Sequence, residues 1–347
     1  MRAVRQAGWG GREQLSVCDG VPIPSPVEGQ VLVRVRAASI NAADRHMLSG
    51  RPYLIRAAVG LAAIPGMDFA GVVEGLGEGV KTLALGDEIL GTADVKAGAF
   101  AQFVCVPEGN VTRKPAHVDW ETAAAVATAG QTAMQALRAG RLVEKGDHVL
   151  VYGASGGVGT FAVQLAKLAG ARVTAACSGR NVLLARELGA DDVVDYTTHD
   201  IATSGGAKYD KIIDTVGRPR WRPLLKPRGV SVAVALPYPE SECVPCVLCS
   251  ILCAPFCCCC LSTKKSLPFM QEVKSGDLEM LAKMLGEGEG KIRAVVGRRV
   301  ESLEELLDAL ATPHAIPSGS DHPHGKTVVT MGAFAEVEVE AGGGTRA

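Results

Sequence analysis

A glycine-rich heptad between an apolar strand and a helical run constrains the fold more than any other feature. It runs Gly153-Ala154-Ser155-Gly156-Gly157-Val158-Gly159, after the apolar run His148–Tyr152 and before the helical run Thr160–Ala169. Strand, turn and helix in this order begin a βαβ unit, in which backbone N–H groups at the helix start can approach a phosphate that side chains would block. A tight turn without a ligand is the alternative interpretation, so the surrounding elements decide.

Strands and helices alternate around this heptad. Before it, Glu121–Ala139 is rich in alanine with a helical period, and Asp119 and Gly140 are suited to its two ends. After it come strand-like runs and one helical run, at Arg172–Ala176, Val182–Leu188 (helical), Asp192–Asp195, Lys211–Asp214 and Val230–Ala235. This alternation predicts a doubly wound parallel sheet with helices on both faces, which is the context that a dinucleotide-binding heptad requires.

The first part of the chain has a β-rich texture instead. Apolar and polar residues alternate from Gln30 to Arg36, and similar pieces separated by turns follow at Phe69–Glu74, Glu88–Leu90 and Phe100–Val106. β texture returns near Val295, with a strand expected at Lys326–Thr330. We therefore expect an α/β chain with a β-rich domain at 1–118 completed by 295–332, a dinucleotide-binding domain at 119–294, and a flexible tail at 333–347.

Composition and charge narrow the classes of function. The 347 residues are 47% apolar and 21% charged, as in a globular protein of about two domains. The formal net charge of -1 gives no general attraction to nucleic acid. The N-terminus has neither a secretory nor a transit-peptide pattern, which predicts a cytoplasmic protein whose 11 cysteines are thiols.

The residues after the second strand of the dinucleotide-binding domain bear on the cofactor. An NAD-binding domain usually has a carboxylate there, which accepts a hydrogen bond from the ribose 2′-hydroxyl. Here the strand is followed by Cys177-Ser178-Gly179-Arg180-Asn181, and a hydroxyl with a guanidinium suits the 2′-phosphate of NADPH. A solvated Arg180 at a loop tip is the alternative. We predict NADPH as the cofactor.

Four segments carry a family resemblance. The heptad belongs to a longer pattern that starts at Gly146-Asp147 and ends at Gln164 and Lys167. The other segments are Ser39-Ile40-Asn41-Ala42-Ala43-Asp44, Asp214-Thr215-Val216-Gly217 and Gly325-Lys326-Thr327-Val328-Val329. Together they resemble the zinc-independent, zeta-crystallin-like quinone oxidoreductases of the medium-chain dehydrogenase/reductase superfamily, across about residues 1–332. Bacterial and chloroplast members are the most similar, so the chloroplast, at the periphery of its envelope, is the alternative location.

This resemblance implies a GroES-like catalytic domain, a Rossmann domain and an active site in the cleft between them, in a homodimer. It also implies which residues bind NADPH. Along the diphosphate would lie Ala154, Ser155, Gly156, Gly157, Val158 and Gly159; around the 2′-phosphate Ser178, Arg180 and Tyr196; and along the nicotinamide Thr132, Val216 and Leu236.

The same resemblance separates the chain from zinc-dependent relatives. Asn41 stands where those relatives carry a cysteine, and Pro65-Gly66-Met67-Asp68 stands where they carry Pro-Gly-His-Glu. The thioether of Met67 is a poor Zn²⁺ ligand, and no four-cysteine loop follows Gly91. A polar loop accounts for His322-Pro323-His324 better than a metal site does. We predict an enzyme without a metal.

Hydride transfer without a metal favours an acceptor that spreads the developing negative charge, such as a quinone or an α,β-unsaturated carbonyl. The protein then has to orient the nicotinamide and donate hydrogen bonds to the developing oxyanion. Asn41 is the first catalytic candidate, because its amide can donate to the acceptor oxygen or to the nicotinamide ribose; a bond to its own backbone is the alternative. Tyr53 could donate a proton or pack as an aromatic, and Asp44 could order a hydrogen-bond network or stabilise a turn.

Two other functions stay open. The same fold could reduce enoyl thioesters or short enals, or the chain could bind NADPH as a non-catalytic structural or regulatory protein. NADPH oxidation across quinones, enals and enoyl thioesters separates these alternatives.

Eight cysteines crowd between Cys243 and Cys260. Four of them have the spacing of ferredoxin ligands, but the intervening residues are mostly apolar and Cys257–Cys260 add four adjacent thiols. No residue from 243 to 263 is charged, yet prolines would break a spanning helix, so peripheral membrane contact or S-acylation is the stronger lipid hypothesis. A buried or dimer-facing apolar segment is the favoured interpretation.

Overall fold

Two large β-sheets frame the part of the chain that the structure describes. The computed structural model describes residues 1–51, 53–96, 98–199, 201, 208–217, 221–234, 264–269, 271–312 and 324–330. Leu236, the cysteines from Cys243 to Cys260 and His322 lie outside these residues. Among the described helices, none combines the length and the apolar character that crossing a membrane requires.

The N-terminal part is mostly β-structure. Its strands are β1 (Ala3–Gln6), β2 (Leu15–Cys18), β3 (Gln30–Ile40), β4 (Asp68–Leu76), β5 (Glu88–Thr92), β6 (Phe103–Pro107) and β7 (Val111–Arg113). Two short helices, α1 (Ala42–Ser49) and α2 (Leu54–Ala58), lie between β3 and β4. Along β3, Val31, Val33 and Val35 are buried while their neighbours reach the surface, as in a strand with one face on the core.

The predicted helix Glu121–Ala139 is two helices, α3 (Trp120–Ala124) and α4 (Ala127–Arg138), so the prediction of one helix was wrong. Asp119 caps the first, accepting from Thr122 N at 2.7 Å. The second has a cap from elsewhere in the sequence, because the Asp68 carboxylate accepts from Thr128 N at 3.2 Å and from its Oγ1 at 2.5 Å. Because the first turn of α4 has an acceptor from a distant part of the sequence, α4 can begin as a separate helix instead of continuing α3.

A parallel sheet follows. Its elements are β8 (His148–Tyr152), α5 (Gly157–Leu168), β9 (Arg172–Cys177), α6 (Val182–Glu187), β10 (Asp192–Asp195), β11 (Tyr209–Asp214), β12 (Leu225–Ala233), β13 (Lys265–Pro268) and α7 (Ser275–Met284). The strand order is β10-β9-β8-β11-β12-β13, with every neighbouring pair parallel. This is the order of a Rossmann sheet, and it reverses between β8 and β11, where ligands of such sheets bind.

The chain then returns to the first sheet through β14 (Val296–Val300), α8 (Leu303–Ala311) and β15 (Lys326–Thr330). The order in that sheet is β14-β15-β3-β4-β5-β7, and β6 pairs with the first half of β3. Residues 37–40 of β3 pair with β15, which is why β3 runs past its predicted end at Arg36. The predicted fold class, a β-rich GroES-like domain with a doubly wound Rossmann domain, is confirmed.

The helix after the heptad is held firmly in the core. All residues of α5 from Gly159 to Ala166 are buried, with Phe161 fully enclosed. Gln164 forms two hydrogen bonds with the backbone of Arg293, donating to its O at 3.0 Å and accepting from its N at 2.9 Å. The N-terminus of α5 therefore has a fixed position at the reversal of strand order.

Candidate cofactor and active site

The glycine-rich heptad forms a tight turn between β8 and α5. Gly153 has a φ of 80°, a left-handed conformation that favours glycine, and a Cβ there would lie 2.3 Å from Thr215 Oγ1. A Cβ on Gly159 would lie 2.2 Å from Gly153 O. The turn is thus closed so tightly that residues with side chains fit at neither position.

The first turn of α5 presents backbone donors. Gly156 N donates back to Gly153 O at 3.1 Å, and the helical series begins with Thr160 N on Gly156 O at 2.9 Å. The N–H groups of residues 157–159 precede that bond, at the positive end of the helix dipole. A diphosphate requires this combination of close backbone approach and unpaired donors, so the turn fits a dinucleotide.

Ala154 contributes differently from its neighbours in the heptad. Its side chain is fully buried, and its N–H donates to Ala176 O at 3.0 Å. Since its backbone donor is already used, Ala154 can act on a bound diphosphate only through the shape of the turn.

A second turn, after β11, borders the heptad. The buried Asp214 carboxylate ends this strand and accepts from Val216 N at 2.9 Å, Gly217 N at 2.9 Å and Trp221 Nε1 at 2.7 Å. Thr215 Oγ1 in the same turn donates to Tyr152 O at 2.9 Å. Val216, predicted along the nicotinamide, is therefore held beside Gly153 with half of its surface exposed.

The residues predicted around the 2′-phosphate meet at the ends of β9 and β10. Asn181 Nδ2 donates to Ser155 Oγ at 3.0 Å and to Ser178 Oγ at 3.1 Å, which ties the heptad to the turn after β9. Arg180 lies exposed in that turn, and Tyr196 follows β10 with its N–H on Cys177 O at 3.2 Å. The connecting residue, Asn181, was missed by sequence reasoning, although it is the polar residue that directly precedes α6.

A carboxylate also lies at this end of the sheet. Asp195 pairs in register with Cys177, and a Cβ on Gly179 would lie 2.5 Å from Asp195 Oδ2. Its Oδ1 accepts from Thr197 Oγ1 at 2.7 Å and from Thr197 N at 2.9 Å, and these bonds lower the pKa of Asp195. In the sequence, only the residues after β9 were considered, and none of them is a carboxylate. Asp195 was missed because this residue ends the neighbouring strand, β10.

A buried polar cluster lies in the GroES-like domain, formed by Asn41, Asp44, Asp68 and Lys326. Lys326 Nζ donates to Asn41 Oδ1 and lies 3.6 Å from Asp68 Oδ2. Asp44 Oδ2 accepts from Asn41 N at 2.7 Å. This one bond serves both roles considered for Asp44, because it stabilises the turn before α1 and links Asp44 to the hydrogen-bond network. The sequence suggested Asn41 and Asp44 but not Lys326, whose signal was a lysine at the start of an otherwise uncharged closing strand.

Burial controls the charges of this cluster. It raises the pKa of Asp44 to about 7, with the Asp68 carboxylate adding to the effect and the Asn41 N–H opposing it. Burial also lowers the pKa of Lys326, while Asp68 and Asp44 counteract that change. The carboxylates of Asp68 and Asp44 thus favour the charged form of Lys326, against burial, which has the larger effect on its pKa.

Tyr53 directly precedes α2, and Thr132 lies in α4. Tyr53 is 41% exposed, and the Arg56 guanidinium lies 4.8 Å from the centre of its ring, so it is a surface aromatic packed against arginine. Thr132 is buried in α4.

The cluster adjoins the heptad. Gly325 N donates to Ser155 O at 2.7 Å, and a Cβ on Gly157 would lie 2.8 Å from Lys326 Cδ. The strand that carries Lys326 thus runs directly against the turn that presents the phosphate donors. Cofactor turn and polar cluster form one site.

The residues of this site do not fit a zinc ion. The position of the expected thiolate holds Asn41, whose amide oxygen accepts from the Lys326 ammonium. Met67 is buried, and its thioether is a weak ligand. A dication between Asn41 and Asp68 would have to approach the cation that already contacts both.

Comparisons with known proteins agree with this architecture. Residues 27–116 match the family model described as alcohol dehydrogenase GroES-like domain, and residues 157–251 match zinc-binding dehydrogenase. The chloroplast envelope quinone oxidoreductase homolog of Arabidopsis thaliana is 32% identical over 343 residues, which cover 95% of this chain and 98% of that protein. The NADPH-dependent alkenal/one oxidoreductase of the same plant is 33% identical over 226 residues, covering 62% of this chain and 58% of that protein.

A solved structure has the same fold over most of its length. The quinone oxidoreductase from Coxiella burnetii superimposes with a TM-score of 0.78 at 28% identity, covering 95% of this chain and 99% of that one. The resemblance found in the sequence is confirmed. The chain is a member of the quinone oxidoreductase branch of the medium-chain dehydrogenase/reductase superfamily.

Proposed function

We propose that this oxidoreductase transfers hydride from NADPH to a quinone or an α,β-unsaturated carbonyl without a catalytic metal. The observation that carries the proposal is the contact between the heptad and the strand of Lys326, through Gly325 N on Ser155 O at 2.7 Å. It joins donors suited to a diphosphate with a buried amide suited to an acceptor oxygen. When bound, the nicotinamide supplies the hydride; the acceptor also takes up one proton from water.

Different residues of the chain bind the cofactor and the acceptor. The N–H groups of residues 157–159 bind the diphosphate, and the turn after β11 limits the space beside Gly153. Asn41 donates to the oxygen on which negative charge develops. Asn41 and Lys326 are buried, which strengthens that hydrogen bond because little water competes for it.

NADPH is the proposed cofactor because Ser178 and Arg180 lie together where the adenosine ribose is expected. Oδ1 of the Asp195 carboxylate beside them already accepts from Thr197, and the Gly179 N–H also bonds to this carboxylate, which limits its capacity to accept from a 2′-hydroxyl. One relative is named as NADPH-dependent, which supports the same choice.

We also propose an assembly and a location for the protein. We propose a homodimer, which size-exclusion chromatography with light scattering would test. The name of the envelope relative favours the chloroplast over the cytoplasm, and peripheral membrane contact through the 243–263 segment is the alternative to the buried or dimer-facing segment that the sequence favours. Fractionation of a tagged protein, with and without cysteine substitutions in that segment, would test both.

Turnover by purified protein tests the proposed function. The protein is dialysed against a chelator and assayed for NADPH and NADH oxidation with quinones, short enones, enals and enoyl thioesters. We expect NADPH oxidation with a quinone or enone that zinc does not increase. Activity only with enoyl thioesters would favour the alternative reductase, stoichiometric binding with no oxidation would favour a non-catalytic protein, and activity restored only by zinc would contradict the metal-free proposal.

A further inference from the structure

Lys326 crosses from the cofactor turn to the candidate catalytic amide. Its side chain is 4% exposed; its stem packs over Gly157, and its Nζ donates to Asn41 Oδ1. The residues in this contact are 285 positions apart in sequence. One lysine therefore touches both the turn proposed to bind the diphosphate and the residue proposed to bind the acceptor.

The contact fixes which way the Asn41 amide faces. An ammonium has donors and no acceptor, so the amide oxygen has to face Lys326 and the NH₂ group has to face away. That Nδ2 is buried and meets no acceptor within the described residues, and Asn41 as a whole is only 8% exposed. This donor is therefore available to a bound molecule, such as the oxygen of the acceptor.

Lys326 also changes the strength of this donor. A cation that binds the oxygen of an amide draws electron density from its nitrogen, so its N–H groups become better donors, as in other hydrogen-bond chains. Lys326 contacts Asn41, which stands where zinc-dependent relatives carry a cysteine, and Asp68, which directly follows the position of their histidine. A fixed ammonium thus provides positive charge at the place where those relatives use a metal.

We propose that Lys326 is a positioning residue of the reductase, which orients and polarises the Asn41 amide so that Asn41 Nδ2 donates to the oxyanion of the acceptor. This inference rests on the proposed function. Hydride adds to the acceptor carbon, the π electrons move to the acceptor oxygen, and the oxyanion that forms there accepts from Nδ2 before it takes a proton from water. The acceptor is reduced by two electrons and NADPH is oxidised by two.

A double-mutant cycle of Lys326→Met and Asn41→Ala tests whether Lys326 acts through Asn41. We expect each single variant to lower kcat about 100-fold, the usual loss of an oxyanion donor, with the Kd for NADPH changed less than about threefold. The double variant should be no slower than the slower single one. Losses in kcat that multiply in the double variant would overturn the inference. A loss that appears only in the Kd for NADPH would overturn it too, because it would indicate that Asn41 Nδ2 donates to the nicotinamide ribose.

Two controls separate positioning from stability. Lys114→Met removes another buried lysine, whose Nζ donates to Val118 O at 2.7 Å in the same domain, and should leave kcat within about twofold of wild type. Lys326→Met combined with Asp68→Asn avoids an unpaired buried carboxylate, and should keep the loss in kcat while recovering thermal stability. Recovery of kcat together with stability would overturn the inference.

Binding of para-nitrophenolate gives a test that needs no turnover. This phenol ionises near neutral pH and changes colour, so its complex with the NADP⁺-loaded protein reports on an oxyanion donor. Wild type should bind the phenolate form and lower the pKa of the bound phenol, and Lys326→Met and Asn41→Ala should each abolish that shift. A wild-type protein that turns over but does not favour the phenolate would overturn the inference alone, whereas phenolate binding without turnover on any acceptor would overturn the proposed function alone.

Discussion

Alanine in place of Gly159 tests how closely the heptad is built. Its Cβ would lie 2.2 Å from Gly153 O and 2.8 Å from both C and Cα of Ala154, all backbone atoms, whereas real Cβ contacts essentially never fall below 3.0 Å. The start of α5 therefore has to withdraw by about 1 Å, a displacement of the size that can reduce function about 100-fold.

The expected loss follows from the hydrogen bonds at that helix end. Withdrawal of about 1 Å breaks one or two charge-assisted bonds from residues 157–159 to the diphosphate, each worth about 1.5–3 kcal/mol. The Kd for NADPH should rise at least tenfold, because about 1.4 kcal/mol corresponds to that factor. Overpacking should also lower stability by about 1–3 kcal/mol.

Gly276→Ala is the matched control. Gly276 is also in the first turn of a helix, α7, and a Cβ there would meet nothing within 4 Å. It should stabilise the fold by about 0.4–1 kcal/mol and leave NADPH binding unchanged. Fluorescence titration with NADPH and thermal unfolding measure both effects. A Gly159→Ala protein with the wild-type Kd would refute the assignment of this turn to the diphosphate.

Three further substitutions test charges at the site. Arg180→Ala should raise the Kd for NADPH at least tenfold and leave that for NADH within about twofold, and equal losses would remove Arg180 as the phosphate-binding residue. Asp195→Asn removes a negative charge beside Gly179 and should tighten NADPH about two- to fivefold with little effect on NADH; weaker NADPH binding would contradict the expected repulsion. Burial raises the pKa of Asp44 from 3.8 to about 7, so its ionisation opposes folding and stability should fall as the pH rises from about 4 to 7. Asp44→Asn should remove that dependence and stabilise the protein above pH 7 by up to about 4 kcal/mol in urea unfolding, while the same gain below about pH 4 would disprove the cause.

The sequence predicted the local parts of the site well. The strand, heptad and helix from His148 to Leu168 could be predicted because apolar period and glycine content are properties of neighbouring residues. The strands Asp192–Asp195 and Lys326–Thr330 have the predicted bounds for the same reason.

Contacts between distant segments could not be predicted in this way. The bond from Lys326 to Asn41 depends on the closing strand lying beside β3 and against the heptad, which no local pattern encodes. Asp195 reaches the turn after β9 through the register of parallel strands. The break between α3 and α4 depends on the carboxylate of Asp68, in a strand that ends well before either helix begins.

The proposed hydride transfer from NADPH can be tested directly with a deuterium label. Chelator-treated protein is given NADPH that carries deuterium on the transferable position of the nicotinamide, together with a short enone, and the product is analysed by mass spectrometry. Hydride transfer without a metal predicts deuterium on the β-carbon of the saturated ketone, with zinc making no difference. Deuterium that stays on the nicotinamide, or transfer that occurs only after zinc is added, would contradict it.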